Sequence, residues 1–597
     1  MARLDPHSFA DLEQGVTEHL HLELSVDFVE KRISGRARFD LREPVQGPFD
    51  LDTRAVSVEA CRTGDGVGIP FKLGERDEIL GSRLRLLPPE GTRSFAIDFA
   101  TTSGSTALDW LAPAQTAGGK LPYVYSQCQP HHARSIFPCQ DTPRVRFKYS
   151  AEITVPEGFA AVMGAAPGGE VSGRTGGTTT FRFEMPQPIP SYLTAFAVGG
   201  IASQDLSDRV RIYAEPAVLE RAAWEFADVE RMITVAERIF GPYEWERYDM
   251  LVMPFSFPYG GMENPRLTFL TPTLLAGDRS LVNVVAHELA HSWTGNLVTN
   301  ATMEDFWINE GFTVWAERRI LEALVDPEYA ALHAAIGRIS LGEAFERFGA
   351  DSPYTRLNTP LTGVDPDEVY SEVPYEKGFL FVTLLERTAG RESWDRVVRR
   401  YMDRFRFTSI TSEELLAFIE EELPGLPDRV RAKEWIYGPG LPDNAPKFES
   451  PRLNAVSRLA GGWERGLKPT AEDVAQWTPE EWQLYLKWLP RRIPADGCRY
   501  LDDTFGLTAS GNYEILVNWL VLAVRSGFEP VLGRVREVLT TVGRQKYLRP
   551  LYQALLSRPE LRPFAHQVFD SMRERYHTLS RVAIEALFEK AELGNSS

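Results

Sequence analysis

The sequence of 597 residues contains no long hydrophobic run and only four cysteines. No stretch approaches the roughly 20 apolar residues that a transmembrane helix requires. Residues 1–14 are polar, so no signal peptide is expected. The cysteines are too sparse and too irregularly spaced for a disulfide framework. The sequence therefore predicts a cytoplasmic protein with reduced thiols.

Positive charge is also scarce relative to negative charge. The chain has 65 Lys and Arg residues against 83 Asp and Glu residues, which gives a formal net charge of −18. This balance argues against nucleic acid or acidic membranes as partners. The hydrophobic content of 43% and the charged content of 25% are typical of a globular protein. Nothing in the sequence indicates an obligate oligomer, so a monomer is expected.

The chain is too long for a single core and is expected to form several domains of the α+β class. Up to about residue 205, alternating apolar residues, as in 19–28 and 94–100, predict an antiparallel β-sheet domain. Within it, residues 104–120 are expected to form a loop. Helical periodicity dominates the rest of the chain, and its last part predicts an array of amphipathic helices. The expected domains are 1–205, 206–437 and 453–597, with a proline-rich linker at 438–452.

The most informative segment lies near the middle of the chain. His287, Glu288 and His291 form an H-E-x-x-H motif, and Glu310 follows on the next predicted helix. Two imidazoles four residues apart lie on one helical face, about 6 Å apart along the axis, and can bind one tetrahedral cation. With Glu310 as third ligand, a fourth position stays open, as in catalytic zinc sites. Glu288 would then be the general base of a zinc hydrolase.

The surroundings of the motif favour a metal site over a chance match. Residues 281–291 are mostly apolar, so this helix is expected to be buried and its polar residues require partners. A cap at Asp278 or Ser280 and a stop at Gly295–Asn296 would bound the helix. Glu317 lies two turns beyond the third ligand. It either accepts a hydrogen bond from a ligand histidine or is an ordinary exposed glutamate.

A pair of glycines precedes the motif by about 25 residues, in the segment Tyr259–Asn264. Paired glycines let a backbone approach a ligand closely. The carboxylate of Glu263 could hold the α-ammonium group of a peptide, which is mostly protonated near neutral pH. Such an anchor would turn a zinc peptidase into an aminopeptidase. On composition alone, an ordinary Gly-Gly turn is the simpler interpretation.

Together these motifs resemble the gluzincin aminopeptidases of family M1. A G-x-M-E-N strand at 260–264, H-E-x-x-H at 287–291 and Glu310 match the spacing of that family. The resemblance is stronger still to leukotriene A4 hydrolase and its bacterial and fungal aminopeptidase relatives, and it covers nearly the whole chain. It implies a saddle-like N-terminal β-sheet domain, a thermolysin-like α/β zinc domain and a C-terminal α-helical array. Further similar segments are 126–129, 137–143, 257–265, 291–300 and 373–379.

The resemblance also implies roles for individual residues and one Zn²⁺ per chain. His287, His291 and Glu310 would bind the metal, with Glu288 as base. Tyr375 would stabilise the oxyanion of the tetrahedral intermediate. The residues implied in substrate binding are Glu263 and Gln129 for the amino terminus, Arg544 and Lys546 for the free carboxylate of short peptides, and Gln127, Tyr259, Gly260, Gly261, Met262 and Asp367 along the channel.

Three departures from the leukotriene-processing enzymes weaken the expectation that this protein also hydrolyses a fatty-acid epoxide. Pro130, Val369 and Phe312 replace smaller or polar residues, although Asp367 and Tyr370 are kept. The sequence therefore predicts a zinc aminopeptidase acting on short peptides. The alternatives are an additional epoxide-hydrolase activity, a thermolysin-like endopeptidase, or a non-catalytic scaffold. The preferred N-terminal side chain stays open, because Asp367 could favour Arg or Lys while an apolar lining is equally compatible.

Overall fold

The computed structural model describes residues 5–172 and 177–593, so the ends of the first and last predicted domains lie outside the described residues. The N-terminal part of the chain consists mainly of β-strands. Their bounds are β1 Thr17–Asp27, β2 Arg32–Leu41, β3 Phe49–Thr53, β4 Val56–Thr63, β5 Phe71–Leu73, β6 Ser82–Leu86, β7 Ser94–Thr101, β8 Leu108–Leu111, β9 Tyr123–Ser126, β10 Arg146–Pro156, β11 Ala160–Met163, β12 Ala166–Ser172, β13 Thr178–Pro190 and β14 Phe196–Gly199.

The largest sheet has seven strands in the order β12-β13-β10-β1-β2-β7-β4. Neighbouring strands are antiparallel except for β1 and β10, which are parallel. Alternate side chains of a strand face the same side of the sheet. Accordingly, the alternating residues Leu20, Leu22 and Leu24 of β1 and Phe95 and Ile97 of β7 are all buried. The predicted β-sheet domain is confirmed.

Residues 104–120, predicted as a loop, contain the strand β8. It pairs antiparallel with β9 in a four-stranded sheet of order β11-β14-β9-β8, and Leu111 at its end is buried. The prediction was wrong because the glycine- and serine-containing flanks dominate the local composition. The pairing with β9, which stabilises the strand, is a tertiary contact.

The middle part of the chain combines short strands with helices. The strands are β15 Ala202–Asp205, β16 Arg211–Ala214, β17 Met250–Val252, β18 Gly261–Met262, β19 Thr268–Leu270, β20 Val298–Asn300 and β21 Thr408–Ile410. The helices are α1 Pro216–Glu225, α2 Val229–Phe240, α3 Val282–Ala290, α4 Trp307–Leu324, α5 Pro327–Phe348, α6 Gly378–Ala389, α7 Arg391–Phe405, α8 Ser412–Glu422, α9 Leu426–Arg429 and α10 Ala432–Tyr437. A five-stranded sheet has the order β15-β16-β17-β19-β18, in which β18 is an edge strand.

The helix that carries the H-E-x-x-H motif, α3, is shorter than predicted. It begins at Val282 and ends at Ala290, with His291 as its C-terminal cap. Instead of capping the helix, Asp278 accepts hydrogen bonds from the backbone and side chain of Ser280. The predicted caps were therefore wrong. Apolar packing of the helix, rather than capping, holds its start in place.

The C-terminal part is helical, as predicted. Its helices are α11 Pro451–Gly461, α12 Ala471–Val474, α13 Pro479–Trp488, α14 Ala495–Phe505, α15 Tyr513–Arg525, α16 Leu532–Thr541, α17 Gln545–Leu556, α18 Arg562–Met572 and α19 Thr578–Leu593. Helices α11, α13, α15, α17 and α19 pack one against the next in that order, and α11 and α13 also contact α5. The helical array thus lies directly against the middle part.

Arg146 of β10 joins the N-terminal part to the middle part. Its guanidinium donates hydrogen bonds to the carbonyl oxygen of Asn296 and to the hydroxyl of Thr299, both at 2.6 Å, and to the carbonyl of Pro188 at 3.0 Å. Burial lowers its pKa to about 10, so it is still cationic at neutral pH. Because Asn296 and Thr299 follow α3 closely, this contact fixes the segment beside the histidine motif.

The four cysteines, Cys61, Cys128, Cys139 and Cys498, are free and buried. Packing and hydrogen bonds, rather than disulfides, therefore hold the described residues together. Within the described ranges, no helix has both the length and the apolar content needed to cross a bilayer.

Candidate active site

His287, His291 and Glu310 converge between α3 and α4. His287 Nε2 lies 3.2 Å from His291 Nε2 and 3.3 Å from Glu310 Oε2, and His291 Nε2 lies 3.5 Å from Glu310 Oε2. We call these three atoms the metal triangle. Edges of this length fit a tetrahedron whose corners lie about 2 Å from its centre, which is the bond length of zinc to nitrogen and oxygen ligands.

The remaining ring nitrogens already have partners. His291 Nδ1 lies 3.1 Å from the carbonyl oxygen of Thr294, which can only accept, so Nδ1 carries the proton. His287 Nδ1 lies 3.1 Å from Glu317 Oε2. Burial alone would raise the pKa of Glu317, but the hydrogen bond from His287 holds it below its usual value, so Glu317 is an anionic acceptor. In their neutral forms, as metal ligands, both imidazoles therefore present an Nε2 lone pair to the triangle.

The third corner of the triangle is electron-rich as well. Among the described residues, Glu310 Oε2 is buried and has no hydrogen-bond partner. Two lone pairs and an unpartnered carboxylate oxygen within 3.5 Å of one another repel unless a cation lies between them. Zinc accepts two imidazoles and one carboxylate. The residues present thus fit the zinc ion that the sequence predicts.

Glu288 lies on α3 beside the triangle and is 6% exposed. Its carboxylate occupies the space over Gly261, where an added Cβ would lie 2.3 Å from Glu288 Oε1. Position 261 therefore excludes a side chain. Burial raises the pKa of Glu288 well above its usual value, towards the range in which a carboxylate exchanges protons at neutral pH.

Glu263 places a second buried carboxylate next to Glu288. Gln129 of the N-terminal part donates a hydrogen bond from Nε2 to Glu263 Oε1 at 3.1 Å, and Asn309 Nδ2 lies 3.5 Å from the same oxygen. Asn296 Nδ2 donates to the backbone carbonyl of Glu263 at 2.7 Å. Carboxylate oxygens of Glu263 and Glu288 lie within 4.8 Å of each other. The structure thus brings the predicted amine anchor beside the predicted base.

The Gly-Gly segment lines the same cleft. Gly261 and Met262 form β18, whose pairing with β19 leaves one edge open in the sheet. Gln127 Nε2 donates to Met262 Sδ at 3.1 Å. A Cβ added at Gly260 would lie 2.6 Å from Arg544 Nη2. The two glycines therefore make room for Glu288 on one side and for Arg544 on the other.

Tyr375 lies on a short π-helical turn, Val373–Lys377, that leads into α6. Its ring stacks on the ring of His287, with 6.2 Å between centroids. Tyr370 donates its hydroxyl proton to the Tyr375 hydroxyl at 3.0 Å, which leaves the proton of Tyr375 for another acceptor. Burial raises the pKa of Tyr375 well above its usual value. The phenol is therefore a neutral donor at neutral pH.

Asp367 comes from a 3₁₀ turn, Pro366–Val369. Its Oδ2 lies 2.9 Å from His132 Nε2, and His132 Nδ1 lies 2.7 Å from Thr106 Oγ1. Tyr259, the other predicted channel residue, is close enough for the charge of Asp367 to act on its phenol. His132 thus ties the loop of Asp367 to the N-terminal part.

Arg544 and Lys546 lie together around Glu514 of the C-terminal part. We call this pair the carboxylate clamp. Glu514 Oε1 accepts a hydrogen bond from Lys546 Nζ at 2.6 Å and lies 3.9 Å from Arg544 Nη1. Burial alone would raise the pKa of Glu514, but the two cations lower it to about 2. One anion facing two cations leaves a net positive charge at the clamp.

Of the three departures from the leukotriene-processing enzymes, Pro130 and Val369 lie next to site residues and Phe312 lies in the core. Pro130 follows Gln129 through a cis peptide bond. Phe312 stacks on Tyr401, with ring centroids 5.6 Å apart, and belongs to the core. Val369 adds apolar surface near Tyr375 by packing on a small cluster, whose members are Met303, Phe306 and Leu361.

Four polar residues that contact the predicted site were missed at the sequence level. Asn309 directly precedes Glu310 in a largely apolar segment, so a polar residue inside a predicted core was an available signal. Asn296 was considered only as part of the predicted stop of the motif helix. His132 and Glu514 gave no such signal, because nothing in their neighbourhood along the chain indicates what they contact.

Comparison with known proteins agrees with this arrangement. Three family profiles match, described as the peptidase M1 N-terminal domain at 16–193, the peptidase family M1 domain at 224–433 and the leukotriene A4 hydrolase C-terminal domain at 477–588. The chain is 38% identical over 603 residues to leukotriene A-4 hydrolase of Xenopus laevis, covering 97% of this chain and 98% of that protein. It is 36% identical over 606 residues to leucine aminopeptidase 2 of Pyricularia oryzae, covering 98% of each.

A solved structure shows the same architecture. Yeast leukotriene A4 hydrolase in complex with bestatin superposes with a TM-score of 0.91 at 34% sequence identity, covering 98% of this chain and 97% of that one. The likeness extends over all three parts and is accompanied by the metal triangle and its neighbouring carboxylates. The chain therefore belongs to peptidase family M1.

Proposed function

We propose that this protein is a zinc aminopeptidase that removes N-terminal residues from short peptides, with one Zn²⁺ per chain. The observation that carries the proposal is the metal triangle of His287, His291 and Glu310, partly buried at His287 and buried at the other two, beside two further carboxylates. The triangle provides a cation site, and Glu288 and Glu263 provide a base and an amine anchor. The name of the Pyricularia oryzae relative, leucine aminopeptidase 2, supports the same activity.

Glu263 fixes which bond is cut. Its buried carboxylate, held by Gln129 and Asn309, binds the protonated α-amine of the substrate. The open edge of β18 offers backbone groups to an extended peptide. With its amino end at Glu263, the peptide presents its first peptide bond to Glu288, within 4.8 Å of the anchor.

The chain's own residues perform the proton transfers and stabilise charge. When bound, the zinc ion acidifies water and polarises the scissile carbonyl. Glu288 accepts a proton from the attacking water and passes it to the leaving nitrogen. Tyr375 donates a hydrogen bond to the oxygen on which negative charge develops. Glu317 and the Thr294 carbonyl hold the imidazoles in the tautomer that frees both Nε2 atoms.

The first prediction concerns the metal. Dialysis against a chelator should remove one zinc per chain, as measured by elemental analysis, and should abolish hydrolysis of a leucyl arylamide. Adding one equivalent of zinc should restore activity, because the ligands are held in place by α3 and α4. Full activity in protein shown to be zinc-free would rule out the proposal.

The second prediction concerns the amine anchor. Glu263→Gln should lower kcat/KM for a free-amine peptide by about 10- to 100-fold, since a hydrogen bond to a charged group contributes about 1.5–3 kcal/mol. It should leave the slow cleavage of the N-acetylated twin unchanged. Glu246→Gln, at an exposed glutamate paired with Arg266, is the control and should match wild type. Equal cleavage of both peptides by the wild type would instead indicate a thermolysin-like endopeptidase.

The third prediction concerns substrate length. Arg544→Gln should raise KM for tripeptides about tenfold or more, with kcat nearly unchanged, because the clamp binds the far end of the substrate. Tripeptide amides, which lack the carboxylate, should be unaffected. A similar rise in KM for the amides would show that Arg544 acts through the fold and not as a carboxylate ligand.

Epoxide hydrolysis is a second candidate activity. One relative is named leukotriene A-4 hydrolase, and Tyr370 and Asp367 lie at the same end of the cleft. Val369 packs there against apolar residues. Incubation with leukotriene A4, with product analysis by chromatography, would reveal this activity if it accompanies peptide hydrolysis.

We also propose that the protein is a cytoplasmic monomer. The four unpaired cysteines support a reducing compartment. The net charge of −18 supports peptides, rather than nucleic acids or acidic membranes, as partners. Light scattering coupled to size exclusion, with an expected mass of 67.2 kDa, tests the oligomeric state.

A further inference from the structure

We propose that the buried ion pair of Arg318 and Glu376 positions the hydroxyl of Tyr375 for catalysis, an inference that rests on the proposed aminopeptidase function. Glu376 directly follows Tyr375 in the π-helical turn Val373–Lys377. Arg318 belongs to α4, the helix that also carries Glu310 of the metal triangle. The pair therefore connects the turn of the hydroxyl donor to the helix of a metal ligand.

The Arg318–Glu376 pair is short and shielded from water. Arg318 Nη2 donates to both carboxylate oxygens of Glu376, at 2.7 Å and 2.9 Å, and the two side chains are only 8% and 10% exposed. The guanidinium lies over the ring of Phe379, 3.8 Å from its centre, and Nη2 also lies 3.3 Å from the carbonyl oxygen of His333. Burial raises the pKa of Glu376, and the charge of Arg318 opposes that rise. Because either partner alone would be costly to bury, the pair holds one arrangement.

Helix α5 closes the space behind the Glu376 carboxylate. A Cβ added at Gly337 of this helix would lie 2.1 Å from Glu376 Oε2 and 2.2 Å from Oε1. Position 337 therefore has no room for a side chain while the carboxylate is in place. With Arg318 of α4 on one side and the backbone of α5 on the other, the carboxylate is fixed between two helices.

The backbone of the π-helical turn also touches α4 directly. A Cβ added at Gly311 would lie 2.6 Å from Gly378 Cα and 3.0 Å from the carbonyl oxygen of Pro374. Gly311 directly follows Glu310, and it precedes Arg318 by about two turns along one face of the helix. This face of α4 thus meets the turn through a backbone contact and through an ion pair. Two separate contacts set both the distance and the orientation of the turn relative to Glu310.

The side chain of Tyr375 has few polar restraints of its own. Among the hydrogen bonds of the described residues, its hydroxyl takes part in one, with the exposed residue Tyr370. Its ring contacts the rings of His287 and Phe306, whose centroids lie 6.2 Å and 6.0 Å away. The backbone of the turn therefore determines where the hydroxyl lies. Since misplacing a catalytic group by about 1 Å can cost about 100-fold in rate, a contact that fixes the turn should affect catalysis.

The main test is a double-mutant cycle between Glu376→Gln and Tyr375→Phe, measured as kcat and KM on a leucyl arylamide at saturating zinc. Glu376→Gln removes the charge that holds Arg318, and kcat should fall about tenfold or more while KM stays within about twofold of wild type. Introduced into Tyr375→Phe, the same substitution should change kcat by less than about twofold, because the hydroxyl that it positions is already absent. Gly337→Ala keeps both charges but displaces the carboxylate, and it should show the same pattern.

Arg319 and Glu386 provide a matched control, since they form a second buried ion pair, between α4 and α6. Arg319 Nη1 lies 3.1 Å from Glu386 Oε1, and the two side chains are 9% and 8% exposed. Glu386→Gln should lower the melting temperature, because it weakens a buried ion pair. It should leave kcat within about twofold of wild type, since Glu386 lies in α6 beyond the turn that carries Tyr375.

Three results would overturn the inference while the wild type is active. They are an unchanged kcat in folded Glu376→Gln, an equal loss of kcat from this substitution with and without the Tyr375 hydroxyl, and a loss in Glu386→Gln as large as that in Glu376→Gln. If Glu376→Gln does not fold, the cycle of Gly337→Ala with Tyr375→Phe decides between the same outcomes. A zinc-loaded wild type that is inactive on the arylamide would instead overturn the aminopeptidase proposal itself.

Discussion

Glu288→Gln should abolish peptide hydrolysis while zinc stays bound. An amide cannot accept a proton from the attacking water, so kcat on a leucyl arylamide should fall by about 10³-fold. Glutamine has nearly the same size as glutamate, and the space over Gly261 that the side chain occupies stays filled. KM should therefore change little. Steady-state kinetics together with zinc analysis measure both parts of this expectation.

Glu317→Gln is the matched comparison for that experiment. It changes another buried glutamate of the site, but one that faces His287 Nδ1 rather than the cleft. Weakening this contact should lower zinc affinity by about 10- to 100-fold and should leave kcat nearly normal once zinc is saturating. Full activity of Glu288→Gln at normal zinc content would eliminate Glu288 as the base.

Tyr375→Phe should lower kcat by about 10²- to 10³-fold with little change in KM. This is the usual loss when one donor to a developing oxyanion is removed. Because burial raises the pKa of Tyr375 well above its usual value, ionisation of this phenol should cause no loss of activity up to about pH 10. Kinetics of the variant on a leucyl arylamide from pH 7 to 10 check both statements.

Tyr370→Phe is the control for Tyr375→Phe. It removes the hydroxyl that donates to Tyr375 at 3.0 Å but keeps the donor that we assign to the oxyanion. Its effect on kcat should stay within about tenfold, the value of one neutral hydrogen bond. A normal kcat in Tyr375→Phe would contradict the assignment, whatever Tyr370→Phe does.

The fold was predictable wherever one face of an element is buried. The alternation of Leu20, Leu22 and Leu24 predicted β1, and amphipathic periodicity predicted the C-terminal helices. Prediction failed where tertiary contacts replace local signals. Strand β8 depends on its pairing with β9, and α3 begins after buried Leu281 without any capping side chain.

The site residues also fall into those that a local sequence pattern predicts and those that only tertiary contacts bring together. The metal triangle and Glu288 lie within 24 residues of one another along the chain, and known side-chain spacing on helices was enough to bring them together. The contact of His132 with Asp367 spans 235 residues, and no local pattern indicates it. The catalytic and binding roles of the site residues stay predictions, which the substitutions above test.

The cleft draws on all three parts of the chain. Gln129 reaches it from the N-terminal part, Glu288 from the middle part and Arg544 from the C-terminal part, while Arg146 locks the first interface next to α3. In the proposed assignment, the C-terminal part binds the substrate carboxylate, whereas the amine anchor Glu263 and the base Glu288 both belong to the middle part, with Gln129 of the N-terminal part hydrogen-bonded to the anchor. Heat or mild denaturant that weakens the contacts of the N-terminal or the C-terminal part should reduce the selectivity between substrates before zinc is released.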